Sequence, residues 1–217
     1  MSILIYAEYA EGKFKKVALE LASYAKKVAE TLGTTVTAVT INAGDVSELS
    51  KYGVDKVLKV NNDKLSGFTA KAYADVIKQA AQKEASKLIL LSSTTDSLYL
   101  SSLVAVALEA GFTSNVVGLP VSTSPFQVKR TAFSNKAFNT TEITTDIKIL
   151  GLAKNSYGIF ENASTLTQED FNPTIGENDF GVKVESVEKG SGKVSIADAD
   201  IVVSGGRGLK GPENWGM

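Results

Sequence analysis

The sequence predicts an α/β protein: a three-layer, mainly parallel sheet with helices on both faces and an antiparallel extension, followed by the first strand of a second α/β domain. Short apolar runs alternate four times with amphipathic stripes of period three to four. After Gly111 the pattern changes to apolar–polar alternation of period two. Near the end, the apolar run Ile201–Ser204 leads into a glycine-rich turn, Gly205–Gly211.

Ser2–Ala7 reads as the opening strand. Phe14, Val17, Leu21, Ala25, Val28 and Leu32 recur every three or four residues and predict a helix over Phe14–Leu32, ended by Gly33. Lys15, Lys16, Glu20, Lys26, Lys27 and Glu30 fall largely on its solvent side. Thr34–Ile41 is β-branched and predicts a strand, followed by a short helix over Val46–Tyr52 and a strand over Lys56–Val60. A second amphipathic helix is expected over Phe68–Lys83, with Tyr73, Val76, Ile77 and Ala80 facing inward. Lys87–Leu91 is apolar on both faces, as the middle of a parallel sheet requires. Leu98–Ala110 is apolar nearly all round, which predicts a well-buried helix.

Beyond Gly111, Asn115–Pro120 is expected to add a parallel strand, and Phe126–Phe133 and Thr140–Leu152 to form antiparallel strands. Asn155–Asp179 lacks periodicity and reads as a surface excursion. Phe180, Val182 and Val184 alternate with Lys183 and Glu185 as in a further strand. Lys189–Lys193 is a polar hinge, dividing the chain into a domain of residues 1–190 and a segment of residues 191–217. A lone strand cannot bury its own faces. Ile201–Ser204 is therefore expected to be completed by a partner, or by natural protein continuing past Met217.

Composition excludes much chemistry. The 217 residues contain no Cys and no His, which removes disulfides, thiol nucleophiles, Cys/His metal sites and histidine bases. The 23 basic side chains balance 24 acidic ones, so no nucleic-acid footprint is present. Glu8 interrupts the first apolar run, so no signal peptide is expected, and no run approaches a membrane span. No catalytic or metal-binding residues are predicted. Ser92–Asp96, between a strand and a helix, offers hydroxyls that suit either a phosphate or a helix cap, and the cap is the expectation. Lys13, Lys15 and Lys16 read as a solvated face. Gly205–Gly211 is either an ordinary glycine-rich turn or a place where backbone N–H groups meet an anionic cofactor.

Val202–Lys210, with Glu213-Asn214-Trp215, resembles the motif that opens the flavin domain of electron-transfer flavoprotein alpha subunits. Met1–Glu8 resembles that family's first strand, Tyr52–Val57 its Tyr-Gly-Ala-Asp-Lys-Val segment, and Ser114–Leu119 its Ser-Asp-Val-Thr-Gly-Leu segment, with Asn115 in place of Asp. The resemblance covers the whole chain and makes the terminal segment the first strand and turn of a flavin-binding domain.

The resemblance implies an electron carrier without substrate turnover of its own. It implies FAD as cofactor and a beta subunit as heterodimer partner. Electrons would come from flavin dehydrogenases of the acyl-CoA dehydrogenase type, in fatty acid oxidation, and pass to a quinone-linked oxidoreductase. The setting would be bacterial cytoplasm, or mitochondrial matrix in a eukaryote. It places Arg207, Gly206 and Gly205 against FAD, with Arg207 pairing the pyrophosphate or stabilising the reduced flavin. Gly211 stands where many members carry Ser, so a hydroxyl contact there is in question. Most of the family's flavin-binding loops have no counterpart in the chain, so the isolated chain is expected to be colourless. Two other readings are a stand-alone adenine-nucleotide-binding module, disfavoured because no glycine-rich loop follows the first four strands, and a structural domain that docks a partner.

Overall fold

Apolar residues on both faces of the first strand dictate its place at the centre of a sheet. In chain order the structure runs β1 (Ser2–Tyr6), β2 (Tyr9–Ala10), β3 (Lys13–Phe14), α1 (Lys16–Leu32), β4 (Thr35–Ile41), β5 (Lys56–Val60), α2 (Ala70–Lys83) and β6 (Leu88–Ser92). It continues α3 (Thr95–Ala107), β7 (Gly111–Val116), β8 (Ser122–Thr123), β9 (Phe126–Ala132), β10 (Ala137–Glu142), β11 (Lys148–Leu152) and β12 (Thr167–Asp170). This computed structural model describes residues 2–182, 184–186, 196, 199 and 201–216. The chain divides into two units, Met1–Val184 and Glu185–Met217. The hinge expected at Lys189–Lys193 lies outside the described residues.

The main sheet has the order β10-β9-β7-β11-β6-β1-β4-β5-β12, with β8 beside β9. From β7 to β12 every neighbouring pair is parallel. β9 runs antiparallel to β7, β8 and β10, which makes the extension. Side chains of a strand alternate between faces, and the core divides accordingly. Ile3, Ile5, Leu90 and Leu150 pack under Leu21, Ala25 and Val28 of α1. Leu4, Leu58, Ile89 and Ile149 pack on the other face under α2 (Val76, Ile77) and α3 (Leu100, Val104). The expected three layers, and one sheet holding the first four long strands, are therefore present.

Several expectations need correction. Phe14 is not helical: it closes a short hairpin, β2 against β3, and packs on Tyr9 with ring centroids 5.1 Å apart. Glu20 belongs to the buried face of α1 and is only 4% exposed, because a loop of later sequence covers it. Thr140–Leu152 is two strands. β10 is antiparallel to β9, whereas β11 inserts between β6 and β7 as a parallel strand. The expected strand at Asn115–Pro120 begins earlier and ends at Val116.

α3 is less buried than its composition suggested. Leu100 and Val104 face the core, but Tyr99 is 64% and Val106 81% exposed. A helix that is apolar all round encodes no preferred face, and one packed layer covers only half its circumference. The stretch read as a surface excursion supplies β12, which pairs with β5 at the sheet edge. Phe180 ends a 3-10 turn, and Val182 and Val184 are exposed without strand pairing. In the second unit, residues 201–206 form no strand, and Ile201 and Val203 stand exposed. Among the described residues no strand pairs with them.

Candidate functional site

In open α/β sheets, ligands gather at the carboxyl ends of strands where the chain's direction of winding reverses. Here that point lies between β1 and β6. The chain leaves β1 toward β4 and β5, then returns across α2 to β6 on β1's other side. Glu8 follows β1 at this point and is 4% exposed. Its Oε1 accepts Thr94 Oγ1 at 2.8 Å and Ser97 Oγ at 2.9 Å, while Oε2 pairs with Lys15 Nζ at 2.8 Å. Thr94 is also the cap of α3, accepting the Ser97 N–H at 3.2 Å. The cap expected within Ser92–Asp96 is thus present. Lys15, expected on a solvated face, reaches back to a buried carboxylate.

A second carboxylate behaves alike beyond β11. Glu20 Oε2 accepts the N–H of Asn155 at 2.9 Å, and its Oε1 those of Tyr157 and Gly158 at 2.8 and 3.0 Å. Asn155 and Gly158 have left-handed φ angles of 55° and 97°, which turn successive N–H groups toward one anion. Ser23 completes the clamp, donating to the Phe160 carbonyl at 3.1 Å and accepting its N–H at 3.0 Å. The sequence signal for both sites was an acid placed next to apolar residues, at the end of a buried strand and inside a helical stripe.

The tyrosines nearby are structural too. Tyr24 donates to the Gly118 carbonyl at 3.0 Å and Tyr73 to that of Leu65 at 2.8 Å. Burial pushes both phenols above their ordinary range, so they stay neutral donors. Two surface depressions stand out. One of about 300 Å³ lies beside Lys27, Glu30, Tyr157 and Phe160, and one of about 340 Å³ beside Pro125, Phe126 and Lys148. Neither opens at the ends of β1 and β6. Among the described residues no acidic cluster is placed to hold a metal, and no helix is long and apolar enough to cross a membrane.

The terminal segment was the other candidate. Arg207 begins a single 3-10 turn, Arg207–Leu209, and is exposed. The side of Gly205 where a Cβ would stand is covered by the Trp215 indole, and that Cβ would lie 2.8 Å from Trp215 Cζ2. A Cβ on Gly206 would meet nothing within 4 Å. Asn214 Nδ2 donates to the Leu209 carbonyl at 2.8 Å, closing the turn on itself. One guanidinium and a glycine turn suit one edge of a phosphate-bearing ligand. They do not enclose a flavin, so residues 201–216 alone do not fit a buried FAD.

Compared with known families, residues 3–174 match the electron transfer flavoprotein domain. The chain belongs to the electron transfer flavoprotein domain family. Its relatives include the electron transfer flavoprotein subunit alpha of Thermoanaerobacterium thermosaccharolyticum, 31% identical, covering 99% of this chain and 68% of the relative. Protein FixB of Clostridium saccharobutylicum is 29% identical over 98% of this chain and 66% of its own length. The LctC subunit of lactate dehydrogenase (NAD(+),ferredoxin) from Acetobacterium woodii is 25% identical, over 96% of this chain and 51% of that subunit. The chain spans about two thirds of the length of the first two relatives.

Two family-like segments serve the electron transfer flavoprotein fold itself. Within Tyr52–Val57, Gly53 takes φ 89° against the stem of Lys26, and Asp55 Oδ2 accepts the Val36 N–H at 2.9 Å. Within Ser114–Leu119, the Gly118 carbonyl is the anchor for Tyr24.

Proposed function

We propose that the chain acts as the alpha subunit of an electron transfer flavoprotein, a carrier without substrate turnover of its own. The match of residues 3–174 to the family carries this reading. It accords with the buried carboxylates Glu8 and Glu20, both of which are taken up by internal contacts. The first unit serves as scaffold and as the surface for a beta subunit. FAD, when bound, supplies the electron chemistry, and protein supplies position and electrostatics. Arg207, with Gly205 and Gly206, contributes one edge of the flavin site, its guanidinium meeting pyrophosphate or the charge of reduced flavin. Other protein elements supply the remaining walls. Electrons enter from flavin dehydrogenases of the acyl-CoA dehydrogenase type and leave to a quinone-linked acceptor, in the cytoplasm of a bacterium.

Flavin absorbance and potentiometry test this. The isolated chain is expected to purify colourless, and the alpha–beta pair built on an alpha subunit of the relatives' full length to be yellow. In that pair, Arg207→Ala should weaken FAD retention if it holds pyrophosphate, or shift the flavin potential if it meets the reduced ring. Stoichiometric flavin on the isolated chain, or an Arg207→Ala pair identical to wild type, would overturn the assignment.

A further inference from the structure

We propose that Glu8 is a resident anion, occupying the oxyanion receptor at the winding-reversal point of the sheet and excluding nucleoside phosphates from it. The receptor is built of parts that ordinarily receive a phosphate. Two hydroxyls, Thr94 Oγ1 and Ser97 Oγ, donate to one oxygen, and the Lys15 ammonium meets the other. Behind them stands the N-terminus of the 13-residue α3, whose dipole favours negative charge. The observation that points to an anion is the buried carboxylate itself, seated on all three donors.

Tethering decides the competition. Glu8 is delivered by the end of β1, so it competes with a free anion at the effective concentration of an intramolecular group, mM or above. Displacement would also leave a buried carboxylate without partners, which is strongly unfavourable. Asp96, exposed in the first turn of α3, adds a second negative charge nearby. The crevice that the sheet order reserves for a nucleotide is therefore closed from within. This holds independently of whether the chain carries electrons.

Thermal unfolding of the 217-residue chain tests it at matched ionic strength in chloride, acetate and inorganic phosphate. Wild type sets the general salt effect on the midpoint, against which the variants are read, and should bind no AMP in equilibrium dialysis. Glu8→Ala should melt lower in chloride, and acetate or phosphate should restore roughly half or more of the lost midpoint by filling the vacated receptor. Glu8→Gln keeps the shape without the charge and should gain no such response. If Glu8→Ala does not fold in chloride, folding in acetate supports the receptor, and failure in both overturns it. An anion response of Glu8→Ala no larger than that of wild type, or AMP bound by wild type and lost in a Thr94→Val variant, would also overturn it.

Discussion

The Glu20 carboxylate on α1 accepts the amide N–H of Tyr157 at 2.8 Å, across 137 positions of sequence. With Asn155 and Gly158 on the same carboxylate, it is the main polar tie between the first helix and the loop after β11.

Removing that tie leaves three N–H groups to be solvated afresh. Glu20→Ala is expected to cost about 2–4 kcal/mol, and Glu20→Gln about half of that, since hydrogen bonds to a charged group exceed neutral ones. Urea unfolding gives the cost, and hydrogen exchange at residues 155–160 localises it. A loss within about 0.5 kcal/mol of wild type for Glu20→Ala would show that the loop is held by packing instead.

The two sides of α3 should respond oppositely to truncation. Leu100 is fully buried between sheet and helix, so Leu100→Ala is expected to cost about 2–5 kcal/mol. Val106 faces solvent, and Val106→Ala should stay within about 0.5 kcal/mol of wild type. Denaturant midpoints of the two variants compare them directly, and similar losses would mean that the outer face of α3 is packed in solution.

Glu169 on β12 lies 2.7 Å from Lys56 Nζ and 2.8 Å from Lys83 Nζ. Hydrogen bonds from Lys56 and then Lys83 lower its pKa from 4.5 to about 2. A carboxyl with a depressed folded pKa contributes stability above its unfolded value and loses it as pH falls toward the folded one. The contribution therefore disappears between pH 4.5 and about 2. Unfolding midpoints from neutral pH to about pH 3 should fall less steeply in Glu169→Gln than in wild type. Parallel curves would mean that salt and solvent already screen the pair.

Gly53 combines a left-handed φ of 89° with contact against the Lys26 side chain. Gly53→Ala should cost more than about 1 kcal/mol, from strain and overlap together. Adding Lys26→Ala should recover only part of the overlap, because the Cβ that it keeps would still lie 2.6 Å from the new one, and should leave the strain. A double-mutant cycle in chemical denaturation measures this coupling. Strict additivity would show that the Lys26 stem swings clear at no cost.

The place of the early strands in one parallel sheet was legible because apolar runs and helical stripes report burial directly. β1 and its neighbours β4 and β6 needed nothing more. Composition could not say which face of α3 packs, because Tyr99 and Leu100 are both apolar although only Leu100 is buried. Thr140–Leu152 misled because one stretch of β-like sequence serves two strands on opposite sides of β7, and long-range pairing chose the break. Glu20 looked like a solvent-side residue, and Glu8 marked only the end of an apolar run. Their burial depends on hydroxyls and amides contributed from residues 94–97 and 155–158, and no local pattern announces such partners.

The insertion of β11 between β6 and β7 has a consequence for synthesis on the ribosome. β6 emerges with one side matched to β1, and its other side waits for Lys148–Leu152. The roughly 55 residues between them take about 3–11 s to appear at about 5–20 residues per second. Through that interval the nascent chain presents an open strand, LILLS, apolar at four of its five positions, in the middle of what will become its core. A trailing segment thus locks the sheet, and the half-made protein is in greatest need of a chaperone while residues 93–147 are being added.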